Sequence, residues 1–198
     1  TAQSTTTRLF SRMFSTLRDR IFVSVTLGIL AGDVITKRIA ETRLPLHQPV
    51  NVVGDVLRWT LTYNTGAAMN MTLGGWSRVV FSVLAAVMIV IILRMWWGLP
   101  SSSTWLSACL AMIVAGATGN LIDRVRSARG VVDFIDVGLG TARFWTFNVA
   151  DSGVTVGAII LAILTWREPG DAGAAHSAVG ADATPSDKKS DDEAAPPA

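Results

Sequence analysis

Apolar residues fall into long unbroken runs in this chain, separated by short polar stretches. Ile21 to Ala31 is almost wholly apolar, and the run continues through Asp33 to about Ile39. Further runs cover Val79–Trp97, Trp105–Ile122 and Phe147–Trp166. A helix crossing the hydrocarbon core needs about 20 residues, which each run approaches. The pattern predicts four transmembrane helices, at about 21–39, 79–97, 105–122 and 149–166.

Glu41 to Ser77 behaves differently. Leu57, Trp59, Leu61 and Tyr63 alternate with Arg58, Thr60 and Thr62, the two-residue period of a half-buried strand. Asn64-Thr65-Gly66 closes it as a turn. A second β-like run carries Asp133 and Asp136. The expected fold class is therefore an all-α polytopic membrane protein with a small β-containing segment outside the bilayer. Three parts are expected: a polar N-terminus over 1–20, a four-helix domain over 21–167, and a disordered tail over 168–198 rich in Ala, Asp, Ser and Pro. A basic stretch before an apolar run also fits a signal peptide, but further spans follow and no small-residue cleavage pattern is evident, so a first membrane helix is expected.

Composition agrees. Half the residues are hydrophobic, 16% are charged and the mean hydropathy is +0.43, where a soluble domain carries about 25% charge. A net charge of +2 gives no reason to expect nucleic acid as a partner. The single cysteine, Cys109, lies in an apolar run and excludes an intrachain disulfide. Six of the seven tryptophans (Trp76, Trp96, Trp97, Trp105, Trp145 and Trp166) fall at predicted helix ends, as an aromatic belt requires. Loop charge does not decide orientation, although Arg8, Arg12, Arg18 and Arg20 ahead of the first span favour a cytoplasmic N-terminus.

Ionisable groups near membrane-length runs are costly and need partners or a function. With four spans, Asp33, Asn64, Asn120, Asp123, Asp133, Asp136 and Asp151 all reach one membrane face. Each has a plainer reading beside a functional one. Asp33 can pair with Lys37 one turn on, and Asp123 with its neighbour Arg124. Asn148 is placed to cap the last helix, with Asp151 in its first turn. Asp136 is expected to face water. His47 and His176 lie in a loop and the tail, and no Cys/His cluster has metal-binding spacing, so neither metal nor cofactor is expected. Ser152 with Lys37 imitates a Ser–Lys pair, but a serine there serves equally as a helix-start residue. Two acids meeting from separate segments would share a proton. A transporter or proton relay is the alternative, as is a structural module locked by Asp and Asn.

Four motifs, in order, resemble the lipoprotein signal peptidase (signal peptidase II) family. They are Asp-Val-Ile-Thr-Lys at 33–37, Asn-Thr-Gly-Ala-Ala at 64–68, Gly-Asn-Leu-Ile-Asp-Arg at 119–124 with Val-Val-Asp-Phe at 131–134, and Phe-Asn-Val-Ala-Asp-Ser at 147–152. The resemblance implies a membrane aspartic endopeptidase that removes the signal peptide just before a diacylglyceryl-modified cysteine. Asp133 and Asp151 match the catalytic pair. Asp33, Asn64, Gly66, Asn120, Asp123, Arg124 and Asn148 match positions that shape the site or hold substrate. The implied partners are prolipoprotein signal peptides and membrane lipids. The implied location is the bacterial cytoplasmic (inner) membrane, with the site and the β-containing segment near the periplasmic or extracellular face. Met69 stands where the family often has phenylalanine, and the Arg124–Asp133 connection is about one residue longer than the family pattern.

Overall fold

The computed structural model describes residues 16–66 and 74–166. Its elements are α1 (Leu17–Arg43), β1 (Val50–Val53), β2 (Leu57–Asn64), a 3-10 turn (Gly74–Trp76), α2 (Ser77–Gly98), α3 (Thr104–Arg126), β3 (Val131–Leu139), β4 (Ala142–Arg143) and α4 (Val149–Trp166). Most of the expected N-terminal segment, Met69 and the 168–198 tail lie outside the described residues.

α1 begins ahead of Ile21 because Thr16 caps it. Thr16 Oγ1 accepts from the Asp19 amide at 3.2 Å, and Asp19 Oδ2 accepts from the Thr16 amide at 3.3 Å. This reciprocal box satisfies two amides that a helix start otherwise leaves bare. Among the described residues, three helical segments are long and apolar enough to cross a membrane: Gly74–Gly98, Thr104–Arg126 and Val149–Trp166. α1 is longer, at 27 residues, but Asp33 and Lys37 interrupt its apolar run and are buried inside the protein.

α3 is the central helix. Leu110, Ala111, Ile113 and Val114 are buried, and they join Phe22 of α1 with Ile92 and Trp96 of α2 in one apolar cluster. α2 and α4 instead expose large apolar residues, among them Val83, Val87, Ile91, Ile159 and Ile163. Such surfaces on long helices suit a lipid environment. α4 approaches α3 through small residues: a Cβ on Gly157 would lie 2.9 Å from the Cys109 carbonyl oxygen.

At the other end of the helices the strands form one antiparallel sheet in the order β1-β2-β3-β4. The alternation in β2 places Leu61 in a second apolar cluster with Ala40, Val132 and Phe134, flanked by Trp59 and Tyr63. Asp133 pairs opposite Thr62 in the ladder. Side chains alternate across a strand, so turning Val132 and Phe134 to the cluster turns Asp133 to the other face. The sheet is larger than the sequence pattern predicts. β1 is exposed at every position and shows no alternation, and β4 has two residues.

The turn from α3 to β3 needs a glycine. Gly130 has φ +94, and a Cβ there would run into the Asn64 carbonyl. This tight turn lies within the Arg124–Asp133 connection, which is about one residue longer than the family pattern.

Three expectations are corrected. Trp96 is not part of an exposed belt. It is 5% exposed, stacks on Phe22 at 4.3 Å between ring centroids, and its Nε1 donates to Ser107 Oγ at 3.0 Å. Asp136 does not face water. It is buried against Arg143, with Nε–Oδ1 at 2.7 Å, and accepts from Thr60 Oγ1 at 2.9 Å, because the β3–β4 hairpin folds Arg143 back over it. Asp123 does not pair with Arg124. Consecutive helix residues point about 100° apart, and its partners are Lys37 at 2.8 Å and Arg126 at 3.1 Å.

Candidate active site

Asp133 and Asp151 meet in a cavity of about 870 Å³ at the sheet end of the helices. β3 supplies Asp133, and the first turn of α4 supplies Asp151. Asn64, Asn120 and Arg124 line the same cavity. Phe81, Phe144, Trp145, Phe147, Val154 and Val156 give it apolar and aromatic walls, and His47, Thr62, Thr146, Ser152 and Thr155 add polar groups to the lining.

Two asparagines join the acids. Asn148 is fully buried. Its Nδ2 donates to Asp133 Oδ1 at 2.7 Å, with Asn120 Oδ1 at 3.1 Å and the Val132 carbonyl at 3.2 Å also within reach. Its Oδ1 accepts from the Asp151 amide at 2.9 Å. Asn120 Nδ2 donates to Asp151 Oδ1 at 2.7 Å. Asp151 Oδ2 accepts from the Asn148 amide at 3.1 Å. The N-cap expected at Asn148 is therefore present, and it also ties α4 to Asp133.

Asp133 is 2% exposed. Burial and the facing charge of Asp151 push its carboxyl up to about 7, against hydrogen bonds from Asn64 and Asn148 and the charge of Lys37, which favour the ionised form. A carboxyl so placed can hold a proton near neutral pH and donate it.

A further layer lies behind the two acids. Asp33 Oδ1 accepts from the Ala150 amide at 2.9 Å, and Asp33 Oδ2 pairs with Lys37 at 2.8 Å, as the spacing in the sequence predicts. Asp123 Oδ2 accepts from the Val132 amide at 3.3 Å. Gly119 leaves room for Asp33: a Cβ there would sit 2.5 Å from Asp33 Oδ2. Arg124 Nη2 donates to the Gly66 carbonyl at 2.7 Å and Nη1 to the Asn120 carbonyl at 3.3 Å. Gly66 also receives Asn64: its amide donates to Asn64 Oδ1 at 2.9 Å. The structure thus brings together all nine residues that the resemblance singles out.

Lys37 is the residue that the sequence reading undervalues. It is 2% exposed and touches Asp33, Asp123 and Asn120. Its spacing from Asp33 signals only the first contact; the other two cross to α3.

The family model for signal peptidase (SPase) II matches residues 25–167, well over half of the chain. A lipoprotein signal peptidase of Pseudomonas paraeruginosa is 37% identical over 155 residues, covering 77% of this chain and 91% of the relative. One from Mycobacterium avium is 42% identical over 155 residues, covering 75% and 80%. A solved structure described as a bacterial membrane enzyme superposes with a TM-score of 0.69 at 27% identity, covering 76% of this chain and 90% of that one. A second with the same description gives 0.66 at 27% identity, covering 74% and 93%. The family model and the curated relatives make one assignment, and the fold is similar to that of solved bacterial membrane enzymes: this chain belongs to the signal peptidase II family.

Proposed function

We propose that this member of the signal peptidase II family is an aspartic endopeptidase that cleaves prolipoproteins just before a diacylglyceryl-modified cysteine, with Asp133 and Asp151 as its catalytic pair. The observation that carries this reading is the meeting of two carboxylates from separate segments in one cavity, bridged by Asn120 and Asn148. Two close carboxylates share one proton. The ionised one takes a proton from an attacking water, and the protonated one hydrogen-bonds the scissile carbonyl. The resulting tetrahedral species collapses as a proton passes to the leaving amine. Asn64 and Arg124 line the cavity and, with Gly66 bonded to both, hold the substrate backbone, while Asp33 and Asp123 brace the backbone beneath the pair.

The apolar wall of Phe144, Trp145, Phe147 and Val154 suits the lipid chains of the substrate. Each buried methylene contributes about 0.8 kcal/mol, so the chains themselves can set the depth of the scissile bond. In this reading α1 is a fourth span, its two interior charges shielded by α3, and the sheet end lies at the outer face of the bacterial cytoplasmic membrane.

Cleavage of lipidated and unlipidated prolipoprotein by purified enzyme, in detergent and in bilayers, tests the reading. The lipidated precursor is cleaved far faster, and Asp133→Asn and Asp151→Asn each abolish turnover while retaining insertion and fold. Equal rates for the two precursors in both settings would refute lipid positioning. Substantial turnover by either variant would sink the dyad.

A further inference from the structure

Resting on the prolipoprotein reading above, we infer that Thr62 and Thr146 form a specificity-determining hydroxyl pair that donates a hydrogen bond to an ester carbonyl of the substrate's diacylglyceryl group. Both threonines are partly buried and line the cavity that holds Asp133 and Asp151. Their Oγ1 atoms lie 2.8 Å apart. Each hydroxyl has one proton to donate and two lone pairs that accept. Their mutual bond uses one of the two protons. The second has no acceptor among the described residues, so it is free for an acceptor in the cavity. Two other hydroxyls on the lining spend their protons inside the protein: Tyr63 donates to Glu41 at 3.5 Å, and Ser152 to the Asn148 carbonyl at 3.0 Å.

The pair stands where the two halves of the substrate join. Thr62 is opposite Asp133 in the β2–β3 ladder. Such partners have Cα atoms about 4.5–5.5 Å apart and side chains on the same face. Thr146 lies between Trp145 and Phe147 of the apolar wall, and Phe147 is bridged to Ile135 of β3. The hydroxyls therefore mark the border between the acids and the wall assigned to the acyl chains. A lipidated cysteine with its scissile bond at the acids and its chains on that wall places its glyceryl group between them. The thioether sulfur there is a weak acceptor. The ester carbonyl oxygens are strong ones, and they are the acceptors that this position brings to the free proton.

The test compares two prolipoproteins with chains of equal length, one ester-linked (diacylglyceryl) and one ether-linked (dialkylglyceryl). The ether keeps the apolar chains and lacks the carbonyl oxygens. kcat/KM is measured for both with the parent enzyme, with Thr62→Val plus Thr146→Val, and with Thr62→Ser plus Thr146→Ser. Valine keeps the shape of threonine, and replacing both partners leaves no hydroxyl unpaired, so the fold is retained; thermal melts check it. The parent cleaves the ester precursor about 3–10-fold more efficiently than the ether precursor, the range expected for one hydrogen bond. The double variant to valine cleaves the two with nearly equal efficiency, and the double variant to serine keeps the parental preference. A purely structural defect slows both precursors alike and does not move their ratio. Equal efficiencies for the parent, or the parental ratio in the double variant to valine, would overturn the role of the pair. Failure of the parent to cleave the ester precursor, or turnover by Asp133→Asn or Asp151→Asn, would instead overturn the underlying reading, so the two failures are told apart.

Discussion

Asn148 and Asp151 cap each other. Asn148 Oδ1 accepts from the Asp151 amide at 2.9 Å while Asp151 Oδ2 accepts from the Asn148 amide at 3.1 Å. A proposed catalytic carboxylate is thus also a helix-start residue, and the same asparagine reaches Asp133 at 2.7 Å. The geometry of the pair is therefore fixed by a local helix cap that also reaches across to β3.

Asn148→Ala removes the cap and the bridge together. Losing the cap costs about 1 kcal/mol, and leaving buried partners unsatisfied adds about 1–3 kcal/mol. The expected result is a clearly lower melting temperature in detergent and a loss of turnover of about 100-fold or more. A variant with parental stability would show that the cap is not needed to hold α4.

Asp133 also predicts a pH-dependent stability. Its carboxyl is raised from 3.8 to about 7 in the folded protein, so the folded state binds the proton more tightly than the unfolded chain. Stability from this group is full below about pH 4 and is lost as pH rises towards 7. The loss reaches at most ~4 kcal/mol, at 1.36 kcal/mol per pH unit. Asp133→Asn removes the penalty. Thermal melts should show the variant more stable than the parent at pH 8 and similar at pH 4. Parallel melting curves across that range would contradict the raised value. The same proton predicts that turnover by the parent enzyme declines above about pH 7.

Asp123→Ala leaves Lys37 and Arg126 without one of their carboxylates and the Val132 amide without its acceptor. Breaking a buried pair from one side costs about 3–5 kcal/mol. Arg124→Ala breaks no ion pair of Asp123, so its melting temperature should fall less. A larger fall for Arg124→Ala would restore the pairing of adjacent residues.

Ser107 closes a separate lock at the far end of α1. Its Oγ accepts from Trp96 Nε1 at 3.0 Å and donates to the Arg18 carbonyl at 3.0 Å, while Arg18 lies 5.1 Å from the Trp96 ring centroid. Arg18 and Asp33 are separated by about 22 Å along the helix at 1.5 Å per residue. Ser107→Ala should cost about 1–3 kcal/mol and leave the kcat of the folded fraction unchanged. A drop in kcat at temperatures where the variant stays folded would show coupling between the two ends.

The sequence by itself determined the elements whose signals are local. Long apolar runs marked α2, α3 and α4 closely, because a helix in lipid or enclosed by other helices is apolar on every side. The alternation from Leu57 to Tyr63 marked β2, and the four-residue spacing marked the Asp33–Lys37 pair. The resemblance of four motifs to one family pointed to nine residues as parts of one site. Contacts between segments were decided only by the tertiary structure. Whether Asp123 meets Arg124 or Lys37 depends on how α1 and α3 are rotated against each other, and whether Asp136 meets water depends on a two-residue strand folding Arg143 over it. Trp96 looks like an interfacial residue at a helix end until Phe22 and Ser107 close around it. Lys37 carries the same lesson. From the sequence it is one half of an i,i+4 pair; in the fold its ammonium has three acceptors on two helices, because burying that charge demands them.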